Sequence, residues 1–196
     1  HESLDPVRYL GNRSSGKMGL AVAAEAASRG ASTTLVAGPC QLPTPHGVTR
    51  VDVQSALEME RAVTDSARGA DLVVMAAAVA DYRPAESSRV KIKKQALGQR
   101  PALELSRNPD ILAGLGGASP RPVLVGFAAE TGGDLEQLAA DKLRAKGCDL
   151  LVANDVAAAD AGFEVDTNRV TLLGADGQVE RLPLLSKRDV AAHLLD

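Results

Sequence analysis

Glycine, serine and lysine residues near the start of the chain have the types and spacing of an anion-binding loop. The stretch GNRSSGKMG at 11–19 places Gly16-Lys17 five residues after a glycine, as in the phosphate-binding loop of P-loop NTPases. Backbone amides around its two serines, at the start of a helix, could bind a phosphate. Met18, however, stands where that loop needs a hydroxyl for magnesium, and the polar residues before it, broken by Pro6, disfavour the buried strand that launches such a loop. We therefore predict an anion-binding loop rather than a P-loop.

Polar groups follow three apolar runs of the chain. LVVMAAA at 72–78 is followed by VADYRP, PVLVGFA at 122–128 by AET, and LLVAN at 150–154 by DV. In a parallel α/β sheet, ligands bind beyond the carboxyl ends of the strands. Acidic and amide groups at three such ends predict a site at one edge of the sheet, although polar caps on strand ends that meet water would give the same pattern.

Positive charge comes in short packets. KIKK at 91–94 adjoins KKQALGQRP at 93–101, whose polar, Gly- and Pro-containing sequence predicts a mobile loop. Lys142 and Lys146 lie four residues apart and share one face of a helix near its C-terminus. The helix dipole alone favours cations there, so a structural role is the alternative. Together with the 11–19 loop, these lysines are candidates for a triphosphate clamp.

Short apolar runs alternate with Ala-rich helical windows, which predicts an α/β fold with a parallel sheet covered by helices. Asp176-Gly177 between two alternating runs predicts a C-terminal antiparallel hairpin at the sheet edge. A serine cap and the stop at Gly30 bound the first helix. The predicted core strands are 33–38, 49–53, 72–78, 122–128 and 150–154, and the predicted helices are 15–30, 55–68 and 134–146.

Composition excludes several classes of protein. A length of 196 residues with 45% apolar content suits one domain over 1–196, and a net charge of -3 offers no global field for nucleic acid or anionic lipid. No apolar run reaches the roughly 18 residues of a membrane span, and no signal peptide opens the sequence. Cys40 and Cys148 lack metal-ligand spacing and are expected to be buried spectators. We expect a soluble, cytoplasmic protein.

A dinucleotide oxidoreductase is a second alternative. No G-x-G-x-x-G follows a predicted strand, and neither Tyr9 nor Tyr82 is followed four residues later by lysine, which weakens it. A nucleotide-binding module without catalysis stays open.

Six motifs carry a resemblance to a known family. LDPVRYLGNRSSGKMG, AAAVADYRP, KIKKQ, NPDIL, GFAAET and CDLLVANDV occur in this order along nearly the whole chain. The chain thereby resembles phosphopantothenoylcysteine synthetase, or phosphopantothenate–cysteine ligase, of the bacterial CTP-dependent type. That domain is usually the C-terminal half of a bifunctional coenzyme A biosynthesis protein. The family's first strand, with its Gly-Gly-Thr turn, and the N-terminal flavin decarboxylase half are absent from this sequence.

The resemblance implies a Rossmann-like three-layer fold, a mainly parallel sheet and a ligase reaction. In that reaction 4'-phosphopantothenate and CTP form an acyl-cytidylate and pyrophosphate, and L-cysteine then displaces CMP to give the amide. Mg2+ is expected with the CTP, whereas FMN is expected only in the absent decarboxylase domain. A homodimer is implied as well, and no nucleic acid or membrane partner is expected.

The resemblance also implies roles for individual residues. Lys91 would bind the triphosphate from the mobile flap, and Asn12 would hold the acyl intermediate, unless Asn12 merely forms a turn before the helix. Arg8 would lie on the substrate side, although a solvated arginine would look the same. Metal ligands stay open. The remaining implied nucleotide-binding residues are Met75, Ala76, Ala77, Asp81, Ser106, Arg107, Asn108, Pro109, Phe127, Lys142 and Lys146.

Overall fold

A computed structural model describes residues 1–94, 99, 101–130, 135–155 and 165–196. The predicted mobile loop at 93–101 therefore lies largely outside the described residues. The helices are α1 (Lys17–Ser28), α2 (Ala56–Ala67), α3 (Ile111–Gly116), α4 (Leu135–Lys146) and α5 (Lys187–Leu194). The strands are β1 (Glu2–Ser3), β2 (Tyr9–Leu10), β3 (Thr33–Ala37), β4 (Val48–Asp52), β5 (Leu72–Met75), β6 (Tyr82–Pro84), β7 (Leu105–Arg107), β8 (Val123–Glu130), β9 (Leu150–Asp155), β10 (Thr167–Asn168), β11 (Val170–Gly174), β12 (Val179–Arg181) and β13 (Leu185–Ser186).

The largest sheet has the strand order β12-β11-β9-β8-β5. β5, β8 and β9 are parallel to one another, whereas β11 is antiparallel to both of its neighbours, β9 and β12. β3 and β4 form a separate two-stranded parallel sheet. The α/β class, the C-terminal antiparallel hairpin and parallel core strands within 72–78, 122–128 and 150–154 are thus confirmed. The strands predicted at 33–38 and 49–53 form as well, but as a separate, partly exposed pair and not in the large sheet. Gly177 gives the hairpin turn the positive φ of 88° that it requires.

Both faces of the large sheet are covered, which makes three layers. On one face, Leu124 and Leu151 are buried against α2, α3 and α4. On the other face, Val125 and Val152 pack against the side of α5 that carries Val190, with Met18 of α1 beside them. Consecutive residues of β8 and β9 therefore point into two different cores, and this explains why their sequences are apolar almost throughout.

The serine cap predicted for the first helix is wrong. α1 begins at Lys17, and its N-cap is Gly16, which has a φ of 75° and makes no side-chain cap bond. A Cβ placed on Gly16 would lie 2.9 Å from Cys40 Sγ. A glycine is needed there both for the left-handed backbone and for the close approach of that sulfur.

Two short antiparallel pairs that lie outside the large sheet were not predicted from the sequence. β6 pairs with β7, and β1 pairs with β2. Their strands are two or three residues long and partly exposed, so they carry little periodic signal. Within the described residues, the helices are all too short or too polar to cross a membrane.

Candidate functional site

Two predicted nucleotide-binding segments meet beyond the end of β5. Buried Asn108 donates from Nδ2 to the Ala80 carbonyl at 2.8 Å, and its backbone N–H donates to the Asp81 carbonyl at 2.8 Å. Arg83 Nη1 donates to Asn108 Oδ1 at 3.0 Å and to the Arg107 carbonyl at 2.7 Å. The segments 76–81 and 106–109 are distant in sequence. They are fixed to each other by the backbone and side chain of Asn108, which bond main-chain carbonyls of the first segment.

The anion loop reaches the same place through Asn12. Its Nδ2 donates to the Val79 carbonyl at 3.0 Å, which ties the loop before α1 to the segment after β5. Asn12 itself is exposed, as is Asp81 two residues beyond Val79. A Cβ placed on Gly19 would lie 3.9 Å from the Ala76 Cβ, so the first turn of α1 runs close to the same strand end. The predicted substrate residue Asn12 and the predicted cytidine segment are thus neighbours.

The start of α1 presents backbone amides beside this junction. The Ser14 and Ser15 hydroxyls lie 3.4 Å from the N–H groups of Gly16 and Lys17 respectively. The first turn of an α-helix has amides that no helical carbonyl accepts, and the helix dipole makes that end favourable for anions. This arrangement supports the predicted anion-binding role of the loop. Lys17 itself turns to Asp166, with Nζ 2.7 Å from Oδ1.

The side chain of Lys91 is exposed, while the backbone of the next residue is fixed by hydrogen bonds. No hydrogen bond or ion pair of its side chain is found among the described residues, so its charge faces solvent. The next residue, Ile92, is bonded through its N–H to Asp5 Oδ2 at 3.2 Å and through its carbonyl to Arg8 Nη2 at 3.0 Å. The predicted substrate residue Arg8 also forms an ion pair with Asp5, a residue that no sequence motif had indicated.

The Arg8 guanidinium strongly favours the ionised form of the Asp5 carboxyl. Its hydrogen bonds hold the pKa of that carboxyl well below the ordinary value, although burial alone would raise the pKa, and the backbone N–H groups of Val7 and Ile92 lower the pKa further. The Asp5 side chain is fully buried, whereas that of Arg8 is 41% exposed. The guanidinium thus neutralises a buried carboxylate on one side and faces solvent on the other.

Lys146, a predicted nucleotide contact, pairs instead with Asp110, which directly follows the 106–109 segment. Asp110 is also the N-cap of α3 and accepts from the Ala113 N–H at 3.1 Å. Burial alone would raise the pKa of Asp110, but the hydrogen bonds from Lys146 and Ala113 hold it below its ordinary value. Lys142 lies one turn earlier on α4 and has partners of its own. Both lysines stay predicted nucleotide contacts.

Phe127 lies on β8 opposite Val152, and its ring is half-buried against the core on the α1 and α5 face. Two residues beyond Val152, on the same face and at the carboxyl end of β9, stands Asn154. Asn154 is only 8% exposed, and no described residue donates to its buried Oδ1 atom. A buried acceptor without a donor is rare and calls for a ligand or water. The amide in the VAND motif was the available sequence signal for it.

The described residues hold no cluster of three or more His, Cys, Asp or Glu side chains that could bind a metal by itself. Asp81 is an exposed carboxylate at the junction just described. A cavity of about 410 Å3 beside α1 is lined by Lys17, Leu42 and Lys187 among others, and Lys17 is the one residue of the predicted 11–19 loop among its described lining residues.

Comparison with known proteins gives one consistent family. Residues 1–196 match the family described as the DNA/pantothenate metabolism flavoprotein C-terminal domain. The chain is 50% identical over 197 residues to the coenzyme A biosynthesis bifunctional protein CoaBC of Escherichia coli K12. The alignment covers 100% of this chain and 48% of that protein. It is 47% identical over 195 residues to the protein of the same name from Bacillus subtilis 168, covering 99% and 47%. The chain thus spans about half the length of these curated relatives.

Solved structures agree. A crystal structure of the C-terminal domain of the coenzyme A biosynthesis bifunctional protein CoaBC superposes with a TM-score of 0.82 at 41% identity, covering 99% of this chain and 86% of that one. The DNA/pantothenate metabolism flavoprotein from Streptococcus pneumoniae superposes equally well, at 0.82, but with 21% identity it supports the fold alone. The family resemblance and the Rossmann-like fold predicted from the sequence are confirmed.

Proposed function

The chain belongs to the family of the DNA/pantothenate metabolism flavoprotein C-terminal domain, and on this premise we propose that it is a phosphopantothenate–cysteine ligase. The substrates are 4'-phosphopantothenate, L-cysteine and CTP. The products are 4'-phosphopantothenoyl-cysteine, CMP and pyrophosphate. Residues 1–196 act as one ligase domain of a cytoplasmic homodimer, and in the longer relatives the remaining half carries the flavin-dependent decarboxylase.

One observation carries the proposal beyond family membership. The anion loop, the segment after β5 and the 106–109 segment converge through the hydrogen bonds of Asn12 to Val79 and of Asn108 to Ala80. The three segments contribute exposed or main-chain polar groups rather than a catalytic nucleophile. That composition supports nucleotidyl transfer, in which positioning and charge neutralisation provide most of the catalysis.

In the first step a carboxylate oxygen of 4'-phosphopantothenate attacks the α-phosphorus of CTP, and the bond to pyrophosphate breaks. Lys91 offers the exposed ammonium that neutralises the triphosphate, and the positive end of the α1 dipole favours an anion at the helix start. Mg2+ on the nucleotide would supply further charge neutralisation, and the exposed carboxylate of Asp81 is the group at this junction that would hold it. The fixed main chain of 76–81 and 106–109 is proposed to read cytosine, whose edge carries both a donor and acceptors.

In the second step the cysteine amine attacks the activated carbonyl, and CMP leaves with the electron pair of the broken acyl–phosphate bond. Asn12 is already oriented by its bond to Val79 and is proposed to hold the acyl group through its amide. The cytidylate is the good leaving group that the free carboxylate lacks. No covalent enzyme intermediate is needed.

The test is pyrophosphate release by the full-length protein. CTP is supplied with and without 4'-phosphopantothenate, cysteine is then added, and the series is repeated with ATP. We expect release that requires phosphopantothenate and prefers CTP. Tight CTP binding without release, in a folded protein with all substrates present, would instead indicate a nucleotide-binding module.

Two variants assign the steps. Lys91→Gln removes the proposed triphosphate cation and should abolish acyl-cytidylate formation. Asn12→Asp keeps the size of the side chain but loses the N–H donor, so it should slow conversion of the acyl-cytidylate to the amide more than its formation. Single-turnover rates equal to the wild-type rates would remove the residue concerned from the mechanism.

A further inference from the structure

The carboxylate of Asp5 accepts hydrogen bonds from its own turn and also from a segment far away in the sequence. Its Oδ1 accepts from the N–H groups of Val7 and Arg8, both at 2.9 Å. Its Oδ2 accepts from Arg8 Nε at 3.0 Å, from Arg8 Nη2 at 2.5 Å and from the Ile92 N–H at 3.2 Å. The first group of bonds closes a local turn, whereas the bond to Ile92 spans 87 residues of sequence.

The acid and the arginine together hold the main chain of residue 92 from both sides. Asp5 accepts its N–H, and Arg8 Nη2 donates to its carbonyl at 3.0 Å. The same stretch is fixed a second time four residues earlier, where the Ser88 N–H donates to the Leu4 carbonyl at 3.0 Å. The segment 88–92 is therefore attached to residues 4–8, the turn that leads directly into the anion loop.

Lys91 lies between these two attachments. Its side chain is exposed, and within the described part of the chain no hydrogen bond or ion pair orients it. The backbone of Lys91 therefore sets the region that its ammonium can reach. A reacting or neutralising group that is displaced by about 1 Å can cost roughly 100-fold in rate.

We propose that Asp5 is a positioning residue for the first chemical step: with Arg8 it anchors the backbone of Ile92 and so places Lys91 against the triphosphate. This inference rests on the proposed function, because the triphosphate belongs to it. Because the Asp5 side chain is fully buried, the role we assign to it acts through Ile92 and Lys91 and not through contact with a substrate. Arg8 acts in the same device as the donor that keeps the Asp5 carboxylate ionised and oriented.

The test compares Asp5→Asn with a matched variant, Asp149→Asn, in the full-length protein. Asp149 also pairs with an arginine and accepts a distant backbone N–H: Arg121 Nη1 and Nη2 donate at 2.5 and 3.0 Å, and the Leu124 N–H donates at 2.8 Å. This pair lies at the start of β8 and β9, the opposite edge of the sheet from the site. Both variants lose a charged acceptor that pairs with an arginine. The Asp149 side chain is 40% exposed whereas that of Asp5 is fully buried, so the rates are compared at equal folded fractions.

Hydrogen–deuterium exchange gives a readout that does not depend on the reaction. Asp5→Asn should speed exchange of the Ile92 amide, together with its neighbours in 88–94, by about 10-fold or more relative to wild type, whereas Asp149→Asn should leave that segment unchanged. Equal protection of 88–94 in Asp5→Asn and wild type would overturn the anchor.

Kinetics then tests the positioning. Asp5→Asn should slow acyl-cytidylate formation by about 10- to 100-fold, with conversion of the isolated acyl-cytidylate by cysteine near the wild-type rate. Asp149→Asn should leave both steps within about twofold of wild type once folded fractions are equal. Slowing of both steps alike in Asp5→Asn would mean that the pair is only a structural staple. If wild type releases no pyrophosphate, the proposed function fails, and the exchange result alone still decides the anchor.

Discussion

Asn154→Leu is expected to stabilise the ligand-free protein and to weaken nucleotide binding. Asn154 is 8% exposed on the carboxyl end of β9, and its buried Oδ1 has no donor among the described residues. A core residue of similar size without a polar atom should fit that environment better in the absence of ligand. The same substitution removes an acceptor from the edge where we place the nucleotide.

The magnitude follows from the cost of burying an acceptor without its hydrogen bond. That penalty is about 1–3 kcal/mol, and it is relieved when the polar atom is removed. For a domain of this size, each kcal/mol shifts Tm by about 2–4 °C, so the variant should melt several degrees higher. If a ligand N–H normally bonds to Oδ1, losing that bond should weaken CTP binding by about 10-fold, since 1.4 kcal/mol is a factor of ten.

Asn168→Leu is the matched control. Asn168 is 2% exposed, but its Oδ1 accepts the Arg169 N–H at 3.1 Å, so its acceptor is satisfied. The same substitution there should therefore destabilise the protein, by about 1–3 kcal/mol. Urea unfolding without nucleotide measures both variants, and calorimetric CTP titration measures the binding. The sign of the stability change should differ between the two positions.

Destabilisation of similar size in both variants would refute this reasoning. It would mean that Asn154 Oδ1 is satisfied in the free protein, by water or by residues outside those described. Unchanged CTP affinity in a stabilised Asn154→Leu protein would leave the orphan acceptor real but place the nucleotide elsewhere.

Two further predictions concern the backbone and the acid stability. Gly16→Ala should cost about 1–2 kcal/mol of left-handed backbone strain and also crowd Cys40 Sγ, so it should impair CTP binding. Gly30→Ala, at φ 88° with open space around it, should lower stability only. Equal CTP affinity in the two variants would contradict a role for the loop. Hydrogen bonds from Arg121 lower the pKa of Asp149 from 3.8, so the unfolded state binds its proton at higher pH than the folded state does. The ion pair therefore stabilises the protein fully above the pKa of the unfolded state, and this stabilisation is lost as the pH falls through the pKa of the folded state. Urea unfolding at pH 7 and pH 3 should show that Arg121→Gln loses less unfolding free energy on acidification than wild type does.

The sequence contained enough information for the elements that depend on local periodicity. β8 and β9 are buried on both faces, and their continuous apolar runs predict core strands without any knowledge of their neighbours. α2 and α4 begin and end within one residue of their predicted bounds, because periodicity and end signals agree there. The separate pairing of β3 with β4 was not predictable, since strand propensity does not specify which edges hydrogen-bond.

The candidate site was predictable in its residue types but not in its contacts. The resemblance pointed to Asn12, Lys91 and Asn108, yet their placement depends on hydrogen bonds between segments far apart in the chain. Asp5 and Ile92 are 87 residues apart, and no periodic pattern links them. The wrong serine cap has the same origin, because Gly16 is required by the sulfur of a residue from another loop, Cys40.

The proposed reaction accounts for the different placement of Asn108 and Lys91. A nucleotidyl transfer needs fixed atoms that recognise the base and sugar, and positive charge that is free to meet the phosphates when they bind. The main chain at 76–81 and 106–109 is fixed by Asn108, which is buried and fully engaged with both segments. Lys91 has the opposite character, exposed on a segment held only at its backbone. A cation paired in the free protein would have to break that pair before binding phosphate, so anchoring the backbone through Asp5 while leaving the ammonium in solvent keeps the charge available at a defined place.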